Sequence, residues 1–266
     1  MRLLIDVGNT RIKWALADPT QPAPHWDPDH GMLSGWRARG TVLRAQCAEL
    51  TADWLAAMDS PNGAVITDAV IANVAGAALQ QQLGDLLQRC GIAARAQHWF
   101  ASTANLAGVH NAYRVPAQLG CDRFAALIGA RALFGAQRVI VVSCGTATTI
   151  DALDTDGTFI GGMILPGLAM MASALARNTA QLPQIDPGAG VPALFADHTD
   201  AALASGCLQA QCGAILRALD AFDGALCLLA GGAARAIGAA LPVPYHLFDN
   251  LVLPGLQAAY SKTDSS

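Results

Sequence analysis

Residues 1–17 read MRLLIDVGNTRIKWALA. Leu3, Leu4 and Ile5 form an apolar run short enough for a buried strand. Asp6-Val7-Gly8-Asn9-Thr10 then packs a carboxylate, a glycine, an amide and a hydroxyl into one turn. Ile12, Trp14 and Leu16 alternate with Arg11, Lys13 and Ala15, so the chain leaves the turn as a second strand. A hairpin bent at Gly8 offers backbone N–H groups and the Thr10 hydroxyl to an anion, and Asp6, closing the first strand, can hold a hydrated Mg²⁺. Because alternation resumes at once, this is not the Gly-rich loop and helix of P-loop or dinucleotide folds. Plain hairpin turns use the same residue types, so the pattern gains meaning from being repeated.

The second copy lies at 138–153, RVIVVSCGTATTIDAL. Val139 to Val142 read as a buried strand, Ser143-Cys144-Gly145-Thr146 as the turn, and Ala147 to Leu153 as the return strand. Asp6-Val7-Gly8-Asn9-Thr10 aligns with Ser143-Cys144-Gly145-Thr146-Ala147, glycine on glycine. A third element, Leu226 to Ala230, is an apolar strand ending in Gly231-Gly232 before a helix, a turn that lets backbone approach a nucleotide closely. Two phosphate hairpins and a Gly-Gly adenosine turn resemble the layout shared by sugar kinases, acetate kinase, the large heat-shock chaperones and actin. That resemblance implies an α/β fold of two duplicated actin-like ATPase (ribonuclease H-like) domains, with mixed sheets flanked by helices and ATP between them. The domain boundary is expected at 119/120, giving 1–119 and 120–266.

Composition excludes several classes. The chain has 266 residues, 53% hydrophobic and 14% charged, so a large core can offset the ordering entropy. Net charge is −4 and the 16 Lys and Arg are unclustered, which argues against nucleic acid as a partner. No apolar run reaches the roughly 18 residues of a membrane span. The N-terminus opens into a strand without a signal-peptide pattern, and a cytoplasmic protein is expected. Seven cysteines without C-x-x-C spacing are expected to be reduced and mostly buried, not zinc ligands.

Residues 18–40, rich in Pro, Asp, His and Gly, read as a loop, with His25 and Trp26 on its surface. Thr41 to Leu43 read as a strand, followed by a helix ending near Met58 and a turn at Asn62-Gly63. Ala64 to Val74 read as a central strand. Leu79, Leu83, Leu86 and Leu87 form a buried helical stripe stopped by Gly91. Residues 98–118 show no periodicity, and a loop this long is usually functional. After Gly120, the apolar positions Phe124, Leu127 and Ile128 fit a helix with Asp122 and Arg123 in its first turn. On spacing alone, Asp122 suits two roles. It can cap the helix, or it can take a proton from an attacking hydroxyl beside a γ-phosphate. Arg123 can stabilise charge on the transferring group or hold an anionic substrate.

Further on, Gly161-Gly162-Met163-Ile164-Leu165-Pro166-Gly167 reads as a strand end and turn, with a helix to about Arg177. Met163, Met170 and Met171 suit core or dimer packing. Residues 184–199 read as a loop and Ala201 to Leu219 as a long helix. His198 and His246 read as structural, and the tail after Tyr260 as frayed.

An ordered set of motifs narrows the resemblance. Asp6 to Thr10, Tyr113-x-x-Pro116-x-x-Leu119-Gly120-Cys121-Asp122-Arg123, Cys144 to Asp151, Gly161 to Gly167 and Thr179-Ala180-Gln181-Leu182-Pro183 together resemble type III pantothenate kinase, a family also called Bvg accessory factor. The resemblance implies a homodimer that phosphorylates pantothenate at its terminal hydroxyl with Mg²⁺ and ATP, commonly with a monovalent cation (K⁺ or NH₄⁺). It implies that Asp6, Val7, Gly8, Asn9, Thr10, Arg11, Ile12 and Lys13 hold ATP phosphates and Mg²⁺, joined by Gly145, Thr146, Gly231 and Gly232. Asp122 would be the general base. Tyr113, Gly120, Cys121, Asp122 and Arg123 would hold pantothenate, with Thr179 touching it, across the dimer interface or within the chain. Where the family usually carries a cation-ligating Asp, this chain has Ser143, so a weaker K⁺ site is expected unless Asp151 or carbonyl oxygens substitute. The contrasting function is an accessory protein that influences gene expression without catalysis; the intact Asp6, Thr10, Asp122 and Arg123 favour an enzyme.

Overall fold

The computed structural model describes residues 1–20, 24–27, 32–58 and 65–261. In chain order its elements are β1 (Arg2–Val7), β2 (Arg11–Ala17), β3 (His25–Asp27), β4 (Met32–Ser34), β5 (Ala38–Leu43), α1 (Leu50–Met58), β6 (Asp68–Asn73), α2 (Ala77–Arg89), β7 (Gln97–Trp99), β8 (Asn105–Leu106), β9 (Val109–Asn111) and α3 (Cys121–Phe134). There follow β10 (Val139–Cys144), β11 (Ala147–Leu153), β12 (Thr158–Pro166), α4 (Leu168–Asn178), α5 (Thr199–Ala221), β13 (Leu226–Ala230), α6 (Ala234–Ala240), β14 (His246–Phe248) and α7 (Val252–Ala259).

Among the described residues the chain forms two compact units, one of residues 1–27, 33–135 and 251–261, the other of Met32 and residues 136–250. The division differs from the expected cut at 119/120, because α3 and α7 both pack on the first unit's sheet.

In the first unit the strand order is β5-β2-β1-β6-β7. β1 pairs antiparallel with β2, Val7 opposite Ile12, and parallel with β6, Val7 beside Asn73. Leu3, Ile5, Val7, Ile12, Trp14 and Leu16 enter one core with Trp54 of α1 and the Leu79, Leu83, Leu86 and Leu87 stripe of α2. Each such large apolar side chain, fully buried, contributes about 1.5–3 kcal/mol. On α3, every residue from Arg123 to Ala130 is buried. Its contact with α7 is backbone on backbone. A Cβ on Gly129 would strike the Leu251 carbonyl oxygen, and one on Gly255 the Ala125 carbonyl oxygen. At the base of the sheet Arg2 pairs with Asp68 at 2.6 Å and donates to the Tyr260 carbonyl, tying the end of α7 to β1.

The second unit repeats this plan. Its sheet contains the order β12-β11-β10-β13-β14, with β10 antiparallel to β11 and parallel to β13. Ile140, Val142, Cys144 and Ile150 face a core completed by Leu168 of α4, Leu208, Cys212 and Ile215 of α5 and Ile237 of α6. The duplication expected from the two hairpins is thus present strand for strand.

Local departures have simple causes. Residues 18–40 carry β3, β4 and the start of β5, which begins at Ala38 because Leu16 pairs with it. Trp26 is half-buried, its ring 5.2 Å from that of Phe134, not a surface residue. Segment 98–118 contains the β8–β9 hairpin and a 3₁₀ turn at Pro116–Gln118. Gly161 and Gly162 lie inside β12, where they pair with Ala152 and Asp151. Ser143 and Cys144 belong to β10, leaving Gly145 and Thr146 as the turn. The turn expected at Asn62-Gly63 and the last five residues of the tail lie outside the described residues. All seven cysteines are free, and among the described residues no helix is long and apolar enough to cross a membrane.

Candidate active site

The first unit brings the Asp6–Lys13 hairpin and the start of α3 to the same sheet. The hairpin closes through Gly8 N–H donating to the Arg11 carbonyl at 3.0 Å. Asn9, Thr10 and Arg11 are exposed at its tip, Asp6, Gly8 and Lys13 are half-buried, and the side chains of Val7 and Ile12 point into the core. Val7 and Ile12 can therefore serve a ligand only through backbone, as alternation in a strand dictates. Next to the tip, Asn9, Thr10, Leu43, Arg44, Ala45, Ala78, Leu79 and Gln82 line a cavity of about 550 Å³. Arg44 N–H donates to the Thr10 carbonyl at 2.9 Å, fixing this wall. Arg44 and Gln82 went unread in the sequence, since only the pairing of β2 with β5 brings Arg44 to the hairpin.

The acceptor block begins where α3 starts. Gly120 is the N-cap residue and supplies no side-chain cap; instead Asp122 Oδ1 accepts the Arg123 N–H at 2.8 Å. The capping and proton-accepting roles are therefore compatible in one carboxylate. Burial raises the Asp122 pKa above the usual carboxylate value, opposed by the Arg123 N–H and by the Arg123 charge. Arg123 is 6% exposed, and its Nη1 donates to Tyr113 Oη at 3.2 Å. Its guanidinium carbon lies 5.8 Å from the Tyr113 ring centroid. Cys121 Sγ reaches the Asn73 carbonyl at 3.6 Å, and Asn73 is the neighbour of Val7 in the parallel register. The Cys121 thiol is pushed up to about 11, by burial first, then by the Asp122 charge and, more weakly, Asp6. It stays protonated and therefore unreactive.

Three loops meet at the second hairpin, in the other unit. Gly145 N–H donates to the Ala147 carbonyl at 3.0 Å, and Gly145 and Thr146 are exposed. A Cβ on Gly167 would strike the carbonyl oxygens of Gly145 and Thr146. A Cβ on Gly231, whose φ is +104°, would lie 2.5 Å from the Cys144 carbonyl oxygen. The Ala233 N–H donates to that same oxygen at 3.1 Å. The strand end at Cys144 and the Gly231-Gly232 turn are thus in direct backbone contact, which a side chain at Gly231 would block. Ser143 is half-buried opposite Thr149, with the 1%-exposed Asp151 two residues along the same face of β11. Thr179, exposed at the C-cap of α4, donates its hydroxyl to the Leu175 carbonyl at 2.8 Å.

The type III pantothenate kinase family model matches residues 2–221. The chain is 48% identical to a type III pantothenate kinase of Herminiimonas arsenicoxydans and 49% identical to one of Janthinobacterium sp. (strain Marseille), covering 96% of this chain and 96% of the relative in each case. Among solved structures it is similar to a protein described as a Baf family transcriptional activator from Campylobacter jejuni, with TM-score 0.56 and 17% identity over 96% of this chain and 95% of that one. It is also similar to a protein described as a 2-dehydro-3-deoxygalactonokinase from Sinorhizobium meliloti, with TM-score 0.55 and 16% identity over 100% of this chain and 98% of that one. These two likenesses bear on the fold alone, that of two duplicated actin-like ATPase domains. By the family match and the near full-length identity, the chain belongs to the type III pantothenate kinases.

Proposed function

We propose that this protein transfers the γ-phosphoryl group of ATP to the terminal hydroxyl of pantothenate, the opening step of coenzyme A synthesis. The observation that carries this is the joining of Asp122, Arg123 and Tyr113 at the start of α3, on the same sheet as the Asp6 hairpin. Asp122 accepts the hydroxyl proton; its raised pKa brings it closer to neutral pH than an ordinary Asp, which suits a base. Arg123, already held against Tyr113, binds the acceptor and stabilises the equatorial oxygens of the transferring group together with hairpin N–H groups. Asp6 is the one half-buried carboxylate at the first hairpin and fits a Mg²⁺ ligand, the ion supplying neutralisation of phosphate charge. Thr146 takes phosphate and Gly231-Gly232 the adenosine end in the second unit.

The protein acts in the cytoplasm as a homodimer, without nucleic acid or membrane. Exposed apolar side chains support the dimer: Ile160, Met163 and Ile164 of β12 and Met170 and Leu175 of α4 are exposed, and contact with a second copy would cover such residues. Thr179 ends the same helix, so it would contribute to pantothenate binding from the partner. Where the family usually carries a cation-ligating Asp, Ser143 offers a neutral oxygen, and the protein is expected to depend little on K⁺ unless Asp151, two residues from Thr149 on the same face of β11, supplies the charge.

ATP-dependent phosphorylation of pantothenate by purified protein, with and without K⁺ or NH₄⁺, tests this function. Turnover abolished in Asp122→Asn supports it, and protein that binds ATP yet shows no turnover under any cation rejects it. Strict, tight K⁺ activation would reject the weak-cation expectation alone.

A further inference from the structure

Asn111 ends β9 and is 2% exposed. Its side chain makes three hydrogen bonds, all to main chain. Nδ2 donates to the carbonyls of Thr103 (3.2 Å) and Pro116 (3.0 Å), and Oδ1 accepts the Tyr113 N–H (3.2 Å). Its own N–H donates to the Ala104 carbonyl at 2.8 Å. One amide thus joins the irregular segment before the β8–β9 hairpin, the turn at Tyr113 and the 3₁₀ turn that leads into Gly120.

We propose that Asn111 is a positioning residue for the acceptor site, acting on Tyr113 and on the approach to Gly120–Arg123. From Asn111 to Gly120 the chain has no strand ladder, so its order rests on local bonds. Asn111 holds both ends of the turn 111–116, leaving Arg114 and Val115 exposed at its tip. With the Tyr113 backbone fixed, its hydroxyl meets Arg123 Nη1, one residue from Asp122. An amide is required chemically, because the site needs two donors and one acceptor on a planar group. A carboxylate would keep the acceptor for the Tyr113 N–H but put an oxygen in place of Nδ2 against both the Thr103 and Pro116 carbonyls. The proposal rests on pantothenate being the acceptor.

The test compares Asn111→Ala and Asn111→Asp with the wild-type enzyme in steady-state kinetics for each substrate. Hydrogen exchange of residues 103–118 in the free protein is measured alongside. The expected result is a roughly ten- to hundredfold rise in pantothenate KM, the scale of a small misplacement of binding groups, with ATP KM and the pH profile of kcat unchanged. Exchange at 112–118 should quicken while β1 and β2 stay protected. An unchanged pantothenate KM in both variants overturns the proposal. So does a loss shared equally by both substrates with a lowered Tm, which marks a merely structural role. If Asn111→Ala does not fold, Asn111→Ser, able to donate to one carbonyl, takes its place; failure of all three variants to fold also overturns the proposal. A wild-type protein with no pantothenate turnover instead rejects the reaction itself, and the role of Asn111 with it.

Discussion

The Asp122 carboxylate is folded back over Gly120: a Cβ at residue 120 would lie 2.7 Å from Asp122 Oδ1. A methyl there must drive the carboxylate off the Arg123 N–H or push the 3₁₀ turn away. Gly120→Ala is therefore expected to lower kcat about 10²-fold, the scale of an ångström displacement, with a small change in Tm. Paired kinetic and thermal measurements check it, and an undiminished kcat would place the base elsewhere.

Asp122→Asn separates chemistry from folding. Its kcat should fall roughly 10²–10⁴-fold, the usual contribution of a general base. The Asp122 pKa is raised in the folded state, by burial first. Between the unfolded value and the raised one, the native state binds more protons, so stability falls as pH rises through that window. At neutral pH the ionised carboxylate is thus a cost, and Asn removes it. The variant should melt slightly higher than wild type at pH 7, with the difference shrinking as pH falls toward 4. A variant that is destabilised at pH 7 would contradict this assignment.

Gly129→Ala should act on stability alone. The added methyl meets the Leu251 carbonyl, a backbone group that cannot rotate aside. Separation of α3 from α7 is expected to cost about 1–3 kcal/mol, as overpacking does, read as a lower denaturant midpoint. Kinetic constants of the protein that remains folded should be near wild type.

Ala107 has φ +48°, a left-handed value that a Cβ disfavours, followed by Gly108 at +74° in the β8–β9 turn. Ala107→Gly removes about 1–2 kcal/mol of strain against about 0.5–1 kcal/mol of added chain entropy. A small net gain in stability is expected in a urea titration, with unchanged kinetics. A lower midpoint would show that the Ala107 methyl is held by packing.

The two hairpins, the strand before Gly231 and the α2 stripe were legible because each is a local pattern: period two, period 3.6, or glycine at a bend. The return strand Ala147–Leu153 has the bounds read from alternation. Segment 98–118 was not legible. Its strands are two or three residues long, below any periodicity, and part of its order comes from an asparagine bonding across five and eight residues. Gly129 and Gly255 look unremarkable in sequence, each a helical glycine beside apolar residues, until the two helices meet.

By itself, then, the sequence determined the duplicated hairpins, the elements that carry Asp6, Asp122, Gly145 and Gly231, and through their order the family. Only the tertiary structure decided which compact unit claims α3 and α7, how Asp122 is turned over Gly120, that Arg44 lies beside the first hairpin, and that Asn111 bonds to the Tyr113 turn. The reason is range. Alternation and capping act within a few residues, whereas burial of Asp122, the meeting of Gly129 with Leu251 and the bond from Arg123 to Tyr113 exist only once distant segments exclude water together.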